Sequence, residues 1–199
     1  MKIIGLTGSI GMGKSATAAL ISAAGIPVFD SDACVHDLYA SGGKAVAPIA
    51  AAFPGVVVDG AVDRSRLSAA LHEDPSGFAR LEAIVHPLVL EEREAFLHKA
   101  HQSGADLVVF DIPLLFETGS DKHVDHVLVV YAPEDLRRAR VLQRPGMTQA
   151  KLDAIIARQL DDSSKLARAD YQIETSGGLE DAKRQLDVIL KAVRESGGK

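Results

Sequence analysis

Residues 8–15, with the sequence GSIGMGKS, restrict the fold of this chain more than any other segment. They follow the apolar run KIIGLT, precede an alanine-rich stretch, and meet the pattern G-x-x-x-x-G-K-[ST] through Gly8, Gly13, Lys14 and Ser15. Glycines let successive backbone N–H groups turn toward an anion without a Cβ in the way, and the following helix contributes its positive end. The sequence therefore predicts a phosphate-binding loop; the alternative is a turn that needs glycine for its geometry alone.

The loop's main chain and side chains have separate expected roles. Lys14 is expected to reach the β- and γ-phosphates of a nucleotide, and the Ser15 hydroxyl is expected to bind Mg²⁺. The candidate nucleotide-binding residues of this segment are Gly8, Ser9, Ile10, Gly11, Met12, Gly13, Lys14, Ser15 and Ala16.

Composition limits the remaining possibilities. A chain of 199 residues, 47% hydrophobic and 25% charged, can bury one sizeable core with a small added lobe. No apolar run approaches the roughly 20 residues of a membrane span, no secretory leader is visible at the N-terminus, and a single cysteine excludes an internal disulfide. We therefore expect a cytoplasmic protein with no membrane partner, either a monomer or a weak homo-oligomer.

The formal net charge of −5 argues against general nucleic-acid binding, which requires a broad basic surface. An anionic ligand must then be met by a local basic cluster. Residues 133–168 contain one, with eight basic and five acidic side chains. Arg137, Arg140 and Arg144 are spaced to share one helix face before Pro145 and Gly146 end the helix. This spacing predicts a helix-turn-helix lid over residues 137–168, with a solvated charged face as the alternative.

Short apolar runs alternate with helical segments along the chain. The runs KIIGLT, IPVF, DLVVF, HVLVVY and YQIE predict five strands, and the alternation predicts a doubly wound α/β fold with a parallel sheet. We expect residues 1–32, 91–136 and 169–199 to form the nucleotide-binding core and residues 33–90 a mainly helical lobe. Within that lobe, Pro87 predicts a helix start, and His86 is a candidate cap.

Carboxylates follow two of the predicted strands. Asp30 and Asp32 come after the second strand, where a ligand crevice is expected in a parallel sheet, and either could accept a proton from an acceptor hydroxyl or cap the next helix. Asp111 ends the third strand and is a candidate for holding Mg²⁺, with Glu117 ranked below it. Pro113 is expected to end the strand ladder.

Several motifs in register resemble the dephospho-coenzyme A kinase family. They are LTGSIGMGKS, VFDSDA, VHPLV, DIPLLFE and ARVLQR, and the similarity runs from residue 1 to about residue 190. The family transfers the γ-phosphoryl group of ATP to the ribose 3′-hydroxyl of dephospho-coenzyme A. The resemblance implies a P-loop kinase fold, with residues 33–90 as the acceptor lobe and ATP, Mg²⁺ and dephospho-coenzyme A as ligands.

The same resemblance assigns roles to individual residues. It implies Asp32 as the catalytic base, with Lys14 and Arg140 also catalytic. Lid contacts to the nucleotide are implied for Arg140 and Arg144, while Arg137 and Arg138 are expected at the surface. Further implied contacts are Gly177 near the adenine, Ser15 and Asp111 at the metal, and Asp32, Arg64, His86, Pro113, Leu114 and Leu115 at the acceptor.

Three departures from the family pattern affect the nucleotide site. Ala16 stands where a threonine hydroxyl is usual, Ser9 and Met12 occupy variable loop positions, and the chain has no asparagine to place beside the adenine. The missing asparagine also excludes the guanine-reading motif of a switch GTPase. A nucleoside monophosphate kinase and a nucleotide-binding regulatory module remain as alternatives.

Overall fold

The computed structural model describes residues 1–196. The elements follow this order along the chain: β1 (Lys2–Thr7), α1 (Lys14–Ala23), β2 (Val28–Asp30), α2 (Ser31–Tyr39), α3 (Val46–Ala52), β3 (Val57–Val58), β4 (Ala61–Val62), α4 (Arg64–Glu73), α5 (Gly77–Gln102), β5 (Leu107–Asp111), a 3-10 helix (Ser120–His123), β6 (His126–Tyr131), α6 (Glu134–Leu142), α7 (Gln149–Ile156), α8 (Asp162–Ala167), β7 (Tyr171–Glu174) and α9 (Gly178–Glu195).

Five strands form the main sheet in the order β2-β5-β1-β6-β7. β1 pairs in parallel with β5 and β6, and β6 pairs in parallel with β7. In this register Leu6 lies opposite both Asp111 and Leu128, so the loop after β1 leaves the sheet beside the last residue of β5. The predicted five-stranded α/β fold is confirmed.

The central strands are buried on both faces. All five residues of β5 and the first five of β6 are buried, which explains their nearly continuous apolar sequence. Helix α9 packs Leu186, Leu190 and Val193 into the same core. Leu179 has the helical spacing of this apolar face but is 61% exposed, in the first turn of the helix.

The described chain divides into two compact units. One contains residues 1–29 and 100–196, and the other contains residues 30–99. The second unit is mostly helical and extends beyond the predicted lobe of residues 33–90 at both ends. Across the described residues, no helix has both the length and the apolar character needed to cross a membrane.

Two features of the second unit differ from the sequence prediction. Helix α5 runs through Pro87 instead of starting there, so His86 is an exposed residue inside the helix and not its cap. A proline in a helix interior lacks one N–H donor, but the flanking turns of this long helix retain theirs. The segment GVVVDG, which is not among the five strands predicted from the sequence, contributes to the β3–β4 hairpin, where Asp59 and Gly60 both adopt positive φ.

Candidate active site

The loop between β1 and α1 has the backbone shape of an anion site. Gly11 and Gly13 adopt φ values of 81° and 92°, and Gly13 is the residue before the first turn of α1. A Cβ at Gly13 would lie 3.0 Å from the Thr175 side chain, so both conformation and space require glycine there. The predicted strand, loop and helix are confirmed.

Backbone donors converge at this loop. Among residues 1–196, the N–H groups of Gly11, Gly13, Lys14 and Ser15 donate to no protein acceptor. The N–H of Ile10 differs, since it donates to Oε1 of Gln159 at 3.2 Å. Orphan N–H groups at a helix N-terminus, together with the helix dipole, favour a bound anion. The loop can therefore hold phosphate oxygens with main-chain donors.

Lys14 and Asp111 form an ion pair beside the loop. The Asp111 side chain is only 5% exposed and the Lys14 side chain 17% exposed. The pair follows from the β1–β5 register, which brings the end of β5 next to the start of the loop. The structure thus brings together Lys14 and Asp111, to which the sequence analysis gave separate roles.

The hydroxyl and carboxylate oxygens of Ser15 and Asp111 are suitable ligands for Mg²⁺. Within residues 1–196, no group of three or more His, Cys, Asp or Glu side chains could hold a metal ion by itself. Magnesium keeps several waters and commonly combines one or two protein ligands with substrate phosphates, so these two residues fit such an ion. Ala16 brings no hydroxyl to the site, and the hydroxyl of Thr17 donates to the Gly13 carbonyl at 3.3 Å.

Arg140 lies against the loop through Thr175. Its guanidinium donates to Oγ1 and the carbonyl oxygen of Thr175, at 2.9 and 2.7 Å, while Thr175 Oγ1 donates to the carbonyl of Met12 at 2.9 Å. Thr175 is 7% exposed. Sequence reasoning missed Thr175; its place directly after the last strand was the available signal. Gly177 lies two residues further on, at the N-terminus of α9.

Two expectations for the predicted lid are wrong. Arg137, expected at the surface, is 4% exposed and pairs with Asp162 at 2.7 Å. Arg144 does not share a helix face with it, because α6 ends at Leu142 and Arg144 is an exposed residue beyond the helix. Arg138 is partly exposed and pairs with Glu134 and Asp153. The spacing rule failed because it assumed that the helix continues to the proline.

The segment after β5 divides between core and surface. The carbonyl of Pro113 accepts a hydrogen bond from the Thr7 hydroxyl at 3.2 Å, and Leu114 is 41% exposed. Leu115 is completely buried in a cluster with Phe116. The expectation that the Leu115 side chain lines an acceptor crevice is therefore corrected: it packs in the core, within 3.2 Å of the position of a Cβ built on Gly5.

Glu117, a secondary metal candidate, instead serves a buried lysine. Its Oε1 lies 3.0 Å from Nζ of Lys165 and accepts a hydrogen bond from the Leu160 N–H at 2.8 Å. Burial acts to raise the pKa of Glu117, but the Leu160 N–H and the Lys165 ammonium favour the carboxylate more strongly and hold the pKa below its ordinary value. Glu117 is thus a structural counterion.

Replacing this counterion should produce a stability difference that depends on pH. Glu117→Gln is expected to lower the free energy of unfolding at neutral pH by about 3 kcal/mol, because it leaves the buried Lys165 ammonium without its carboxylate. Since the folded-state pKa of Glu117 is depressed, its contribution is complete above the unfolded pKa and is lost as pH falls through the folded pKa. The difference from wild type should therefore shrink as the pH falls below the ordinary glutamate pKa of about 4.3.

Urea unfolding at a series of pH values measures this difference. Glu134→Gln is the matched control, because the Glu134 side chain is 63% exposed and its loss should change stability by less than about 1 kcal/mol. A difference between wild type and Glu117→Gln that stays constant across the acid range would contradict the assignment.

The candidate residues of the second unit have their own local environments. Asp30 is the N-cap of α2 and accepts a hydrogen bond from the Ala33 N–H at 2.9 Å, whereas Asp32 is exposed in the first turn of that helix. The guanidinium of Arg64 lies over the ring of Tyr39, 5.5 Å from its centroid. Burial raises the pKa of the Tyr39 hydroxyl, and the charge of Arg64 partly opposes this. Of the two strand-end carboxylates, Asp30 is therefore the one engaged as a cap.

Comparison with known proteins gives a consistent result. The sequence model of the dephospho-CoA kinase family matches residues 2–181. A dephospho-CoA kinase of Rhodopseudomonas palustris is 52% identical over 192 residues, which are 96% of each chain. One from Mesorhizobium japonicum is 50% identical over 198 residues and covers 100% of both chains.

Solved structures agree with this result. The crystal structure of TT1252 from Thermus thermophilus has a TM-score of 0.82 at 36% identity and covers 98% of each chain. A dephospho-CoA kinase from Campylobacter jejuni has a TM-score of 0.70 at 21% identity, covers 97% of each chain and supports the fold alone. The sequence matches span nearly the whole chain, and the range matched by the family model contains the loop described above, so this chain belongs to the dephospho-CoA kinase family.

Proposed function

We propose that this protein transfers the γ-phosphoryl group of ATP to the 3′-hydroxyl of the ribose of dephospho-coenzyme A, the last step of coenzyme A biosynthesis. The observation that carries the proposal is the set of unpaired N–H groups of Gly11, Gly13, Lys14 and Ser15 at the start of α1. Together with the Lys14 ammonium, these donors suit the triphosphate of a nucleotide. Membership of the dephospho-CoA kinase family indicates dephospho-coenzyme A as the acceptor.

The loop's contribution is to position and stabilise charge. In phosphoryl transfer the negative charge develops on oxygens of the transferred group and the leaving group, and preorganised donors lower the barrier. Lys14 would shift from Asp111 toward the β- and γ-phosphates when the nucleotide binds. Ser15 and Asp111 would hold Mg²⁺, which supplies charge neutralisation between the phosphate oxygens.

Asp32 is proposed as the base for the acceptor hydroxyl. The 3′-oxygen forms a bond to the γ-phosphorus, the bond from that phosphorus to the bridging oxygen breaks, ADP leaves, and the hydroxyl proton goes to the Asp32 carboxylate. The resemblance to the family selects Asp32. Its neighbour Asp30 already accepts the Ala33 N–H as a helix cap, which supports the choice.

The remaining site residues are proposed ligand contacts. Arg140, bonded to Thr175 beside the loop, is suited to offset charge on the nucleotide, and Arg144 and Gly177 are proposed as further nucleotide contacts. Arg64, His86, Pro113 and Leu114 are proposed to contact the acceptor. Exposure of Arg64, His86 and Leu114 leaves them accessible to a ligand.

A phosphotransfer assay with competing acceptors tests the function. Purified protein with ATP and Mg²⁺ is incubated with dephospho-coenzyme A or with a panel of nucleoside monophosphates, and product masses are measured. We expect coenzyme A and ADP in equal amounts only with dephospho-coenzyme A. Phosphorylation of a nucleoside monophosphate would favour the alternative kinase class, and ATP binding without acceptor-dependent ADP release would favour a regulatory module.

A further inference from the structure

A buried network of charged side chains, centred on the hydroxyl of Ser9, connects the phosphate-binding loop to α6 and α8. Three of its members are almost fully buried: Lys165 is 1% exposed, Arg137 4% and Ser9 5%. The other two, Glu117 and Asp162, have side chains that are 17% and 34% exposed. Burying two cations to this degree has a large desolvation cost, which ion pairs and hydrogen bonds must offset.

Ser9, the second residue of the loop, is the centre of this network. Its hydroxyl donates to Oδ1 of Asp162 at 2.6 Å and accepts from Nζ of Lys165 at 3.2 Å. Asp162 accepts in turn from Arg137 at 2.7 Å, and Lys165 pairs with Glu117 at 3.0 Å. The Ser9 hydroxyl is therefore bonded as both donor and acceptor to groups outside the loop.

Arg137 also contacts the loop through its carbon atoms. A Cβ built on Gly11 would lie 3.0 Å from Cγ of Arg137 and 2.6 Å from Val141. The aliphatic part of Arg137 thus packs on the turn at Gly11, while its guanidinium holds Asp162. Beside it, the Ile10 N–H donates to Gln159. Three consecutive loop residues, 9 to 11, are thus held by residues of one segment of the chain, 137–165.

We propose that Lys165 is a positioning residue for the phosphate-binding loop, acting through the hydroxyl of Ser9 to hold the loop in the conformation that receives phosphate. This inference rests on the proposed nucleotide binding but concerns the side chains of Ser9 and Lys165, which are engaged by other groups of the protein. Lys165 is too buried to reach a ligand, and its ammonium is already engaged by Glu117 and Ser9.

The physical reason is preorganisation. A loop with three glycines in six residues loses much conformational entropy on ordering, and donors that must be ordered at binding weaken the complex. Side chains that fix residues 9 to 11 in advance remove part of that cost. Since Lys165 is paired with Glu117 and Arg137 with Asp162, the network fixes the loop without presenting an unpaired charge to it.

The network also limits which part of the predicted lid can move. Arg137 and Lys165 lie near the two ends of the predicted lid, residues 137–168, and both are fixed against the loop. Any lid movement would therefore involve a shorter segment between them. This part of the proposal explains why two basic residues of the sequence cluster are not at the surface.

The test compares Ser9→Ala, Lys165→Met and the double variant with wild type. Amide hydrogen exchange of peptides covering the loop is measured without ligand, and dissociation constants are measured for a non-hydrolysable ATP analogue. Ser9→Ala is expected to speed exchange in the loop and to weaken analogue binding, each by at least about tenfold, because it removes two hydrogen bonds to charged groups. The KM for dephospho-coenzyme A should change less than about twofold.

The double variant shows whether Lys165 acts through Ser9. If it does, adding Lys165→Met to Ser9→Ala changes loop exchange and analogue binding by less than about twofold, because the two residues share one interaction. Lys183→Ala, which removes an exposed ion pair on α9, is the control expected to change neither.

Several results would overturn the proposal. Exchange and binding in Ser9→Ala within about twofold of wild type would do so, as would fully additive effects in the double variant. Uniformly faster exchange across the sheet would indicate a general structural role instead. If Lys165→Met does not fold, Ser9→Ala decides alone. If wild type binds no ATP analogue, the proposed function fails, and loop exchange in Ser9→Ala still decides this inference.

Discussion

Lys14→Ala is expected to lower kcat/KM for ATP by about 10³-fold or more. The substitution removes the only side-chain ammonium proposed to contact the β- and γ-phosphates, and loss of one such charge-stabilising group costs about 10² to 10³ in turnover before binding is counted. Steady-state assays with dephospho-coenzyme A at saturating concentration measure the loss. Turnover within tenfold of wild type would contradict the role of Lys14.

The ion pair with Asp111 adds a second effect that can be measured separately. Lys14→Ala removes the ammonium that pairs with a carboxylate only 5% exposed, so the free energy of unfolding should fall by about 3 kcal/mol. The double variant Lys14→Ala/Asp111→Asn should recover part of this stability and none of the turnover. Lys183→Ala serves as the control for both measurements, because its ion pair with Asp187 is exposed on α9.

Local sequence patterns predicted the parts of the fold that depend on local physics. The loop at residues 8–15 and the strands KIIGLT and HVLVVY appear where expected, because glycine conformation and continuous apolar runs act over a few residues. Gly25 adopts a positive φ just beyond the end of α1, as is typical of a glycine that follows a helix. These features carried both the fold class and the phosphate-binding prediction.

The errors concern residues whose environment is set by distant partners. Arg137 was expected at the surface and Lys165 was counted only as part of the basic cluster, because their partners, Asp162 and Glu117, are 25 and 48 residues away. Thr175 has no motif of its own and acquires its role only when β7 brings it beside Arg140 and Met12. A single sequence contains no signal for such pairs, although the position after a strand end was a usable hint for Thr175.

Two other errors concern local rules, one applied too strictly and one not applied. Pro87 was expected to start a helix, yet 10 residues from Gly77 to His86 precede it in α5. Asp59 and Gly60 form a turn pair typical of a tight hairpin, between Val58 and Ala61, and this available signal was not used. At Pro87 the flanking helical turns continue the helix, and at Asp59 and Gly60 the two paired strands form the hairpin.

Asp32→Asn is expected to lower kcat by about 10² to 10⁴-fold while leaving the KM for ATP within about threefold. Asparagine has nearly the same shape as aspartate but cannot accept the proton of the acceptor hydroxyl. Stability should change little: the substitution removes one negative charge from the first turn of α2, where it is worth about 0.3 to 1 kcal/mol. Single-turnover assays measure the loss in the catalytic rate, and thermal unfolding measures the change in stability.

Asp30→Asn is the matched control, two residues away in the same segment. Asparagine accepts the Ala33 N–H as well as aspartate does, so the cap of α2 should persist and most of the turnover should remain. Near-normal turnover in Asp32→Asn would remove the base assignment. A larger loss in Asp30→Asn than in Asp32→Asn would transfer it to Asp30, because a carboxylate that only caps a helix loses nothing essential on becoming an amide.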